Sequence, residues 1–160
     1  MVICFHFTES VRCAVCVKGI VFVAFLIASP LQATDKVDFG KDVYPILKDY
    51  CLKCHASPYV DARSGRIKKP KGGLRLDSHE LILMGYESND EQVAVVVPGK
   101  PEDSTFYTTT ALDSDHDDIM PSTGDLLTKT QQETLKQWIM EGSKSFGFKE
   151  PVYVNPKAKK

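Results

Sequence analysis

Apolar side chains recur at helical spacing over residues 43–54. Asp38 or Asp42 can cap a helix there, and Pro45 is compatible only with a first helical turn, so we predict a regular helix that begins near Val43. Its apolar positions are Val43, Ile46, Leu47, Tyr50, Cys51 and Cys54. The helix would therefore end in a pair of cysteines.

A second helical pattern lies near the C-terminus. Thr128 and Gln131 have the spacing of a capping box, and Gly142 is a typical helix stop. The apolar face between them carries Leu135, Trp138 and Ile139. We expect this helix to pack on the first one, with Trp138 at the crossing.

Weaker patterns fill the region between these helices. One short helix is predicted over residues 78–84, with Asp77 or Ser78 as its cap, and another begins at Pro101. Residues 93–97, VAVVV, are apolar and mostly β-branched, which indicates a buried extended segment or a single strand. Glycine and proline mark residues 56–73 as a long loop, and residues 86–91 as a polar one.

Residues 1–33 have the pattern of a secretory signal peptide. Arg12 and Lys18 precede the apolar run of residues 19–28, and Ala33 ends a plausible cleavage site. The run is short for a membrane span, which needs roughly 20 apolar residues. An uncleaved membrane anchor is the alternative. A cleaved leader predicts an exported, periplasmic protein.

The cysteines then define the candidate chemistry. Export would remove Cys4, Cys13 and Cys16 with the leader and leave only Cys51 and Cys54. These two belong to the run CLKCH at residues 51–55, the Cys-x-x-Cys-His pattern of covalent haem c attachment. We call these five residues the attachment motif. Both thiols would form thioethers with the porphyrin, and His55 would ligate the iron. A disulfide, a zinc half-site or a thioredoxin-like redox pair remains as an alternative.

Met120 is the candidate for the second axial ligand. It follows an acidic loop, residues 113–118, and precedes a proline, so it has little reason to be a core residue, and a thioether is a suitable partner for a histidine-ligated haem iron. The other methionines of the mature chain fall in helical patterns, at Met84 and Met140. His116 or His79 could ligate instead, or the sixth position could be open.

Charge gives a weaker indication of partners. The formal net charge of −1 does not suggest nucleic acid binding. Positive charge is concentrated in the loop of residues 63–71, which we call the basic loop, and in a tail, residues 146–160, that is predicted to be extended or disordered. The basic loop could dock an acidic redox partner protein, or it could simply be solvated. Its basic residues are Arg63, Arg66, Lys68, Lys69 and Lys71.

Several motifs taken together resemble the planctomycete-type cytochrome c domain. They are VYPIL at 43–47, CLKCH at 51–55, GGLRLD at 72–77, VPGKP at 97–101, MP at 120–121 and WI at 138–139. The chain differs from the usual family pattern at Ala56, where glycine is typical, and at Ser122, where a second proline is typical.

The resemblance implies an all-α fold of the class I cytochrome c type over residues 34–145, with long loops around one covalent haem c. It implies attachment at Cys51 and Cys54, with His55 as proximal and Met120 as distal ligand. We therefore expect an electron carrier rather than an enzyme. A peroxidase-like haem enzyme and a haem-bearing docking module of a larger redox complex are the rival hypotheses.

Overall fold

The structure is a computed structural model that describes residues 36–159. The predicted signal peptide, residues 1–33, lies outside the described residues. No helix within residues 36–159 has the length and apolar character needed to cross a membrane.

The N-terminal helical segment starts earlier than its apolar pattern predicts. It consists of a π-helical turn Phe39–Val43, a short α-helix α1 (Tyr44–Ile46) and a second π-helical turn Leu47–Cys51. Asp38 is the N-cap and accepts a hydrogen bond from the Lys41 backbone amide at 2.9 Å. Pro45 lies inside the segment and has no backbone N–H to donate to the carbonyl four residues earlier. On either side of it, backbone amides donate to carbonyls five residues earlier, from Tyr44 to Phe39 and from Leu52 to Leu47.

The remaining helices follow the predicted capping signals closely. Ser78 caps α2 (His79–Met84), and Thr128 with Gln131 forms the expected capping box of α4 (Lys129–Met140). Between them, α3 (Thr105–Thr108) follows a 3-10 turn at Pro101–Asp103, so the helix predicted to begin at Pro101 is split in two. A further 3-10 turn spans Lys71–Gly73.

The expected all-α fold is wrong, because two small antiparallel sheets accompany the helices. Strand β1 (Tyr59–Val60) pairs with β2 (Ile67–Lys68), and β3 (Tyr86–Ser88) pairs with β4 (Glu91–Val93). The fold is a mixture of short helices and hairpins.

The β1–β2 hairpin lies within the predicted loop of residues 56–73. The β3–β4 hairpin begins in the predicted loop of residues 86–91 and extends two residues beyond it. The β3–β4 turn is formed by Asn89 and Asp90, which have φ values of 52° and 63°. Asparagine and aspartate tolerate this left-handed conformation, and a two-residue turn of this kind matches the twist of the paired strands. The strands are too short for an alternating pattern to be visible in the sequence.

The apolar core is centred on Trp138, as the spacing of the last helix predicts. Its ring contacts that of Phe39, with ring centroids 5.4 Å apart, and its indole nitrogen donates to the Lys144 carbonyl at 3.0 Å. Trp138, Phe39 and Leu135 are almost fully buried. The predicted crossing of the first and last helical segments at Trp138 is confirmed.

The C-terminal tail packs against the helical segment that precedes the cysteines. The Phe148 ring occupies the space that a side chain at Gly40 would fill, and the Tyr44 hydroxyl donates to the Pro151 carbonyl at 3.3 Å. Asn155, which is 7% exposed, donates from its amide to the Lys53 carbonyl at 3.1 Å. The tail thus caps the end of the segment that carries the attachment motif.

A polar cluster ties the chain just beyond the attachment motif to the segment that precedes α2. Asp77 accepts hydrogen bonds from the Ser57 amide at 3.0 Å, the Ser57 hydroxyl at 2.7 Å and the Arg75 guanidinium at 2.9 Å. Burial alone would raise the pKa of Asp77, but the hydrogen bonds from Arg75 and Ser57 outweigh it, so the pKa is lowered.

This cluster makes stability depend on pH. Because the Asp77 pKa is lower in the folded state than in the unfolded state, where it is about 3.9, its contribution is complete above that value and is lost as the pH falls through the folded-state pKa. We expect Asp77→Asn to lower the free energy of unfolding by about 1–3 kcal/mol at pH 7. The variant should also lose less of this free energy than wild type as the pH falls below about 4, when it is measured by urea unfolding. Asp125→Asn, at an exposed carboxylate, is the control. Equal acid limbs in wild type and Asp77→Asn would contradict the assignment.

Candidate haem-binding site

A cavity of about 370 Å³ lies beside the Cys-x-x-Cys-His motif. Its volume falls within the 300–1,000 Å³ that is usual for cofactor and ligand sites. We call it the haem cavity. Its apolar walls include Leu74, Leu76, Val95, Phe106, Leu127 and Leu135.

All four residues predicted for haem attachment and ligation line this cavity. Cys51, Cys54 and His55 come from the end of the N-terminal helical segment and the turn after it, and Met120 comes from a distant loop. The structure therefore brings together residues that are nearly 70 positions apart in the sequence.

Backbone hydrogen bonds fix the shape of the motif. The amides of Cys54 and His55 both donate to the Cys51 carbonyl at 3.0 Å. The Lys71 amide donates to the Cys54 carbonyl at 3.0 Å, and the Leu76 amide donates to the His55 carbonyl at 2.8 Å. The motif is thus a tight turn held against residues 71–76.

The two thiols are free rather than joined in a disulfide. Burial raises the pKa of the Cys51 thiol to about 12, so this thiol is protonated at neutral pH. A protonated, half-buried thiol is a poor nucleophile for disulfide exchange. These properties weigh against a thioredoxin-like redox pair, whose attacking thiol has a lowered pKa.

The His55 side chain is oriented by a carbonyl group behind it. Its Nδ1 lies 3.3 Å from the Leu74 carbonyl oxygen. A proton on Nδ1 that is donated to this carbonyl leaves Nε2 as the unprotonated nitrogen, which is the tautomer that a metal ligand requires. Burial lowers the pKa of His55, and the positive charge of Lys71 adds to this effect. The imidazole is therefore held in its neutral form.

Met120 is held by hydrogen bonds of the surrounding loop to α3 and α4. Its backbone amide donates to the Thr109 carbonyl at 3.0 Å. The side-chain amide of Gln132, on α4, donates to the Thr110 carbonyl at 2.7 Å and to the Leu127 carbonyl at 3.3 Å. The side chain of Met120 is 37% exposed. Its thioether thus lies at the cavity without being packed into the core.

The competing ligand candidates lie elsewhere in the described part of the chain. His79 Nε2 is 2.6 Å from the Ser143 carbonyl, and its ring contacts Phe39. His116 is exposed, and its Nδ1 accepts the Asp118 amide at 3.0 Å. Among residues 36–159, His55 is the only histidine and Met120 the only methionine that lines the haem cavity.

Sequence reasoning did not identify the walls of the cavity. Phe106 and Leu135 lie in helical patterns that predict ordinary core residues, and only the tertiary structure turns them toward the motif. Leu52, inside the motif, is fully buried on the core side. Arg75, which could have faced a haem propionate or water, instead binds Asp77 and Ser57.

The residues around the cavity fit a haem. Two free thiols, a neutral imidazole with an available Nε2 and a thioether border a cavity with predominantly apolar walls. Nitrogen and thioether donors are the axial ligands of electron-transfer haems. The donor set does not suit magnesium or calcium, which prefer oxygen ligands.

A comparison with known families matches residues 51–124 to the family model described as Planctomycete cytochrome C. The matched range includes the attachment motif and Met120. No curated protein and no solved structure matches the chain.

Proposed function

Because residues 51–124 form a planctomycete-type cytochrome c domain, we propose that this protein is a periplasmic cytochrome c that transfers single electrons through one covalently attached haem. The family indicates haem-based redox function, and a cytochrome c domain is generally an electron carrier. The finer assignment, with Cys51 and Cys54 as attachment residues and His55 and Met120 as axial ligands, is our proposal.

The observation that carries this proposal is the shared cavity. One histidine and one methionine, from distant segments, line it together with both thiols. Two protein ligands would fill both axial positions of the iron, which favours electron transfer over binding of oxygen or peroxide. The positions of His116 and His79 away from the cavity support Met120 as the second ligand and weigh against the peroxidase-like rival.

Each residue would have a distinct role. Cys51 and Cys54 would fix the porphyrin edge, and the Leu74 carbonyl would keep the proton of His55 on Nδ1. The apolar walls would exclude water and so favour the less charged ferrous state. When bound, the haem would supply a one-electron iron couple.

Export is part of the proposal. Cytochrome c domains are typically exported, and residues 1–33 have the composition of a leader. A cleaved leader would leave Cys51 and Cys54 as the only cysteines, so no other thiol could compete with them in an oxidising compartment.

An acidic redox partner is proposed to dock at the basic loop. Arg63, Arg66, Lys68 and Lys69 are all exposed there, and Lys71 lines the haem cavity itself. Positive charge beside a redox centre would attract an acidic surface and speed encounter.

Covalent attachment gives the first test. In protein matured with a haem-attachment system, haem should remain with the polypeptide after denaturation and acid-acetone treatment, because thioethers survive both. Cys51→Ser and Cys54→Ser should each leave a single thioether, and the double variant should lose haem on extraction. Quantitative extraction of haem from the wild type would contradict the proposal.

Met120 ligation is tested by replacing each described methionine in turn. Met120→Ala should abolish the thioether-dependent features of the ferric spectrum and lower the reduction potential, because a thioether stabilises ferrous iron. Met84→Ala and Met140→Ala, at exposed helical positions outside the cavity, should leave both unchanged. A Met120→Ala spectrum identical to wild type would assign the ligand to another residue.

Docking at the basic loop is tested with small redox reagents of opposite charge. Oxidation by ferricyanide should slow steeply as salt is added, because ions screen the attraction, whereas oxidation by a cationic cobalt complex should not. Arg63→Gln/Arg66→Gln should reduce the ferricyanide rate at low salt. Salt curves that are the same for both reagents would contradict the electrostatic docking.

A further inference from the structure

A second cavity of about 280 Å³ lies next to the haem cavity and is lined by lysines. They come from three separate parts of the chain: the attachment motif, the segment from β2 to the 3-10 turn, and the C-terminal tail. We call it the lysine cavity. Its basic residues are Lys53, Lys68, Lys69, Lys71 and Lys157.

Within the described residues, no salt bridge compensates the charge of this cavity. No aspartate or glutamate of residues 36–159 lines it, and none of its lysines forms a salt bridge there. Asp77, which accepts a hydrogen bond from the lining residue Ser57, is paired with Arg75. Hydrogen bonds from Ser64 lower the pKa of Asp61, and the charge of Lys68 adds to this effect, so the Lys68 charge is partly compensated. Five lysines line one concavity, and their like charges repel one another, so an anion placed among them would be favoured.

The lining also supplies neutral groups that suit an oxyanion. Tyr59 and Thr123 contribute hydroxyl groups, whereas the Ser57 hydroxyl already donates to Asp77 and the Asn155 side-chain amide donates to the Lys53 carbonyl. The Lys53 ammonium lies so near Gly124 that a Cβ atom there would be 3.0 Å from it. This places the Lys53 charge beside Thr123 at the cavity wall. Ammonium and hydroxyl donors converging on a small concavity match a multivalent oxyanion better than a flat protein surface.

The two cavities share a wall. Lys53, Cys54, Lys71 and Thr123 line both of them. A charge bound in the lysine cavity would therefore be separated from the haem cavity by single side chains, a distance over which electrostatic effects are not fully screened.

We propose that the lysine cavity binds a small multivalent oxyanion, and that the bound anion lowers the reduction potential of the adjacent haem. The anion stabilises the ferric state, which carries one more positive charge than the ferrous state. By linkage, the oxidised protein binds the anion more tightly than the reduced protein does. The anion site is lined by protein residues alone, whereas the effect on the potential rests on the proposed function.

Calorimetry at low ionic strength tests the site, with inorganic phosphate and citrate as separate probes and nitrate at matched ionic strength as the monovalent control. Lys69→Gln/Lys157→Gln removes two charges that line only the lysine cavity. We expect its affinity for the tighter probe to fall at least about tenfold, since a tenfold loss needs only about 1.4 kcal/mol and charged hydrogen bonds exceed this. Lys48→Gln/Lys129→Gln makes the same charge change at exposed positions outside the cavity and should bind like wild type.

The outcomes separate the alternatives. Tighter binding of phosphate identifies a phosphoryl ligand, and tighter binding of citrate identifies a polycarboxylate. Equal losses in both double variants would overturn the site, as would binding of a hexaglutamate peptide without binding of either small anion, which would indicate a protein-docking surface.

A redox titration of the haem-loaded protein tests the linkage. The potential should fall as the tighter probe is added to wild type and to Lys48→Gln/Lys129→Gln, and should change little in Lys69→Gln/Lys157→Gln. A constant potential despite calorimetric binding would overturn the coupling. Calorimetry and the visible spectrum are recorded on the same preparation. Anion binding without a His/Met haem spectrum would contradict the proposed function and keep the anion site, whereas a His/Met haem spectrum without anion binding would do the reverse.

Discussion

Three hydrogen bonds hold the Cys-x-x-Cys-His turn against residues 71–76, and the arrangement of both cavities depends on them. The Cys54 carbonyl accepts from the Lys71 amide, and the His55 carbonyl accepts from the Leu76 amide. The Leu74 carbonyl oxygen lies within hydrogen-bond distance of His55 Nδ1. A buried backbone group that lost its partner would cost about 1–3 kcal/mol, so the turn and the segment hold each other in place. The same contacts place Lys71 beside His55 and deliver Leu74 and Leu76 to the cavity wall.

The sequence predicts the parts of this structure that are specified by local chemistry. Helix caps at Ser78 and Thr128 depend on side chains within four residues of the groups that they satisfy, so their pattern is visible in the chain and the structure confirms it. Trp138 was expected at the helix crossing because its apolar face has the right period. The candidate ligands were also found locally, since Cys51, Cys54 and His55 occupy one turn and Met120 lies outside any helical pattern.

What the sequence does not reveal is of two kinds: local elements without a recognisable pattern, and contacts between distant residues. The hairpin at Asn89 and Asp90 has strands of three residues, too few to display a period. The prolines and lysines of the tail predict an extended or disordered segment, yet Asn155 is buried there and donates to the Lys53 carbonyl across 102 positions. Pro45 predicts a first helical turn, whereas the helical segment begins at Phe39, because a π-helical detour around a proline has no sequence signature.

The basic residues near the proposed redox centre would act in two ways, according to their distance from the haem cavity. Lys53 and Lys71 line both cavities, so their charges would lie beside a bound haem and would disfavour the added positive charge of the ferric state. Exposed charges farther away, such as Arg63 and Arg66, are screened beyond about 10 Å at 0.1 M salt, so they affect the encounter with a partner more than the potential. Lys69 and Lys157 lie between these limits, where a bound anion and an approaching acidic partner would compete for the same positive charge. Occupancy of the lysine cavity would therefore change both the driving force for electron transfer and the rate of docking.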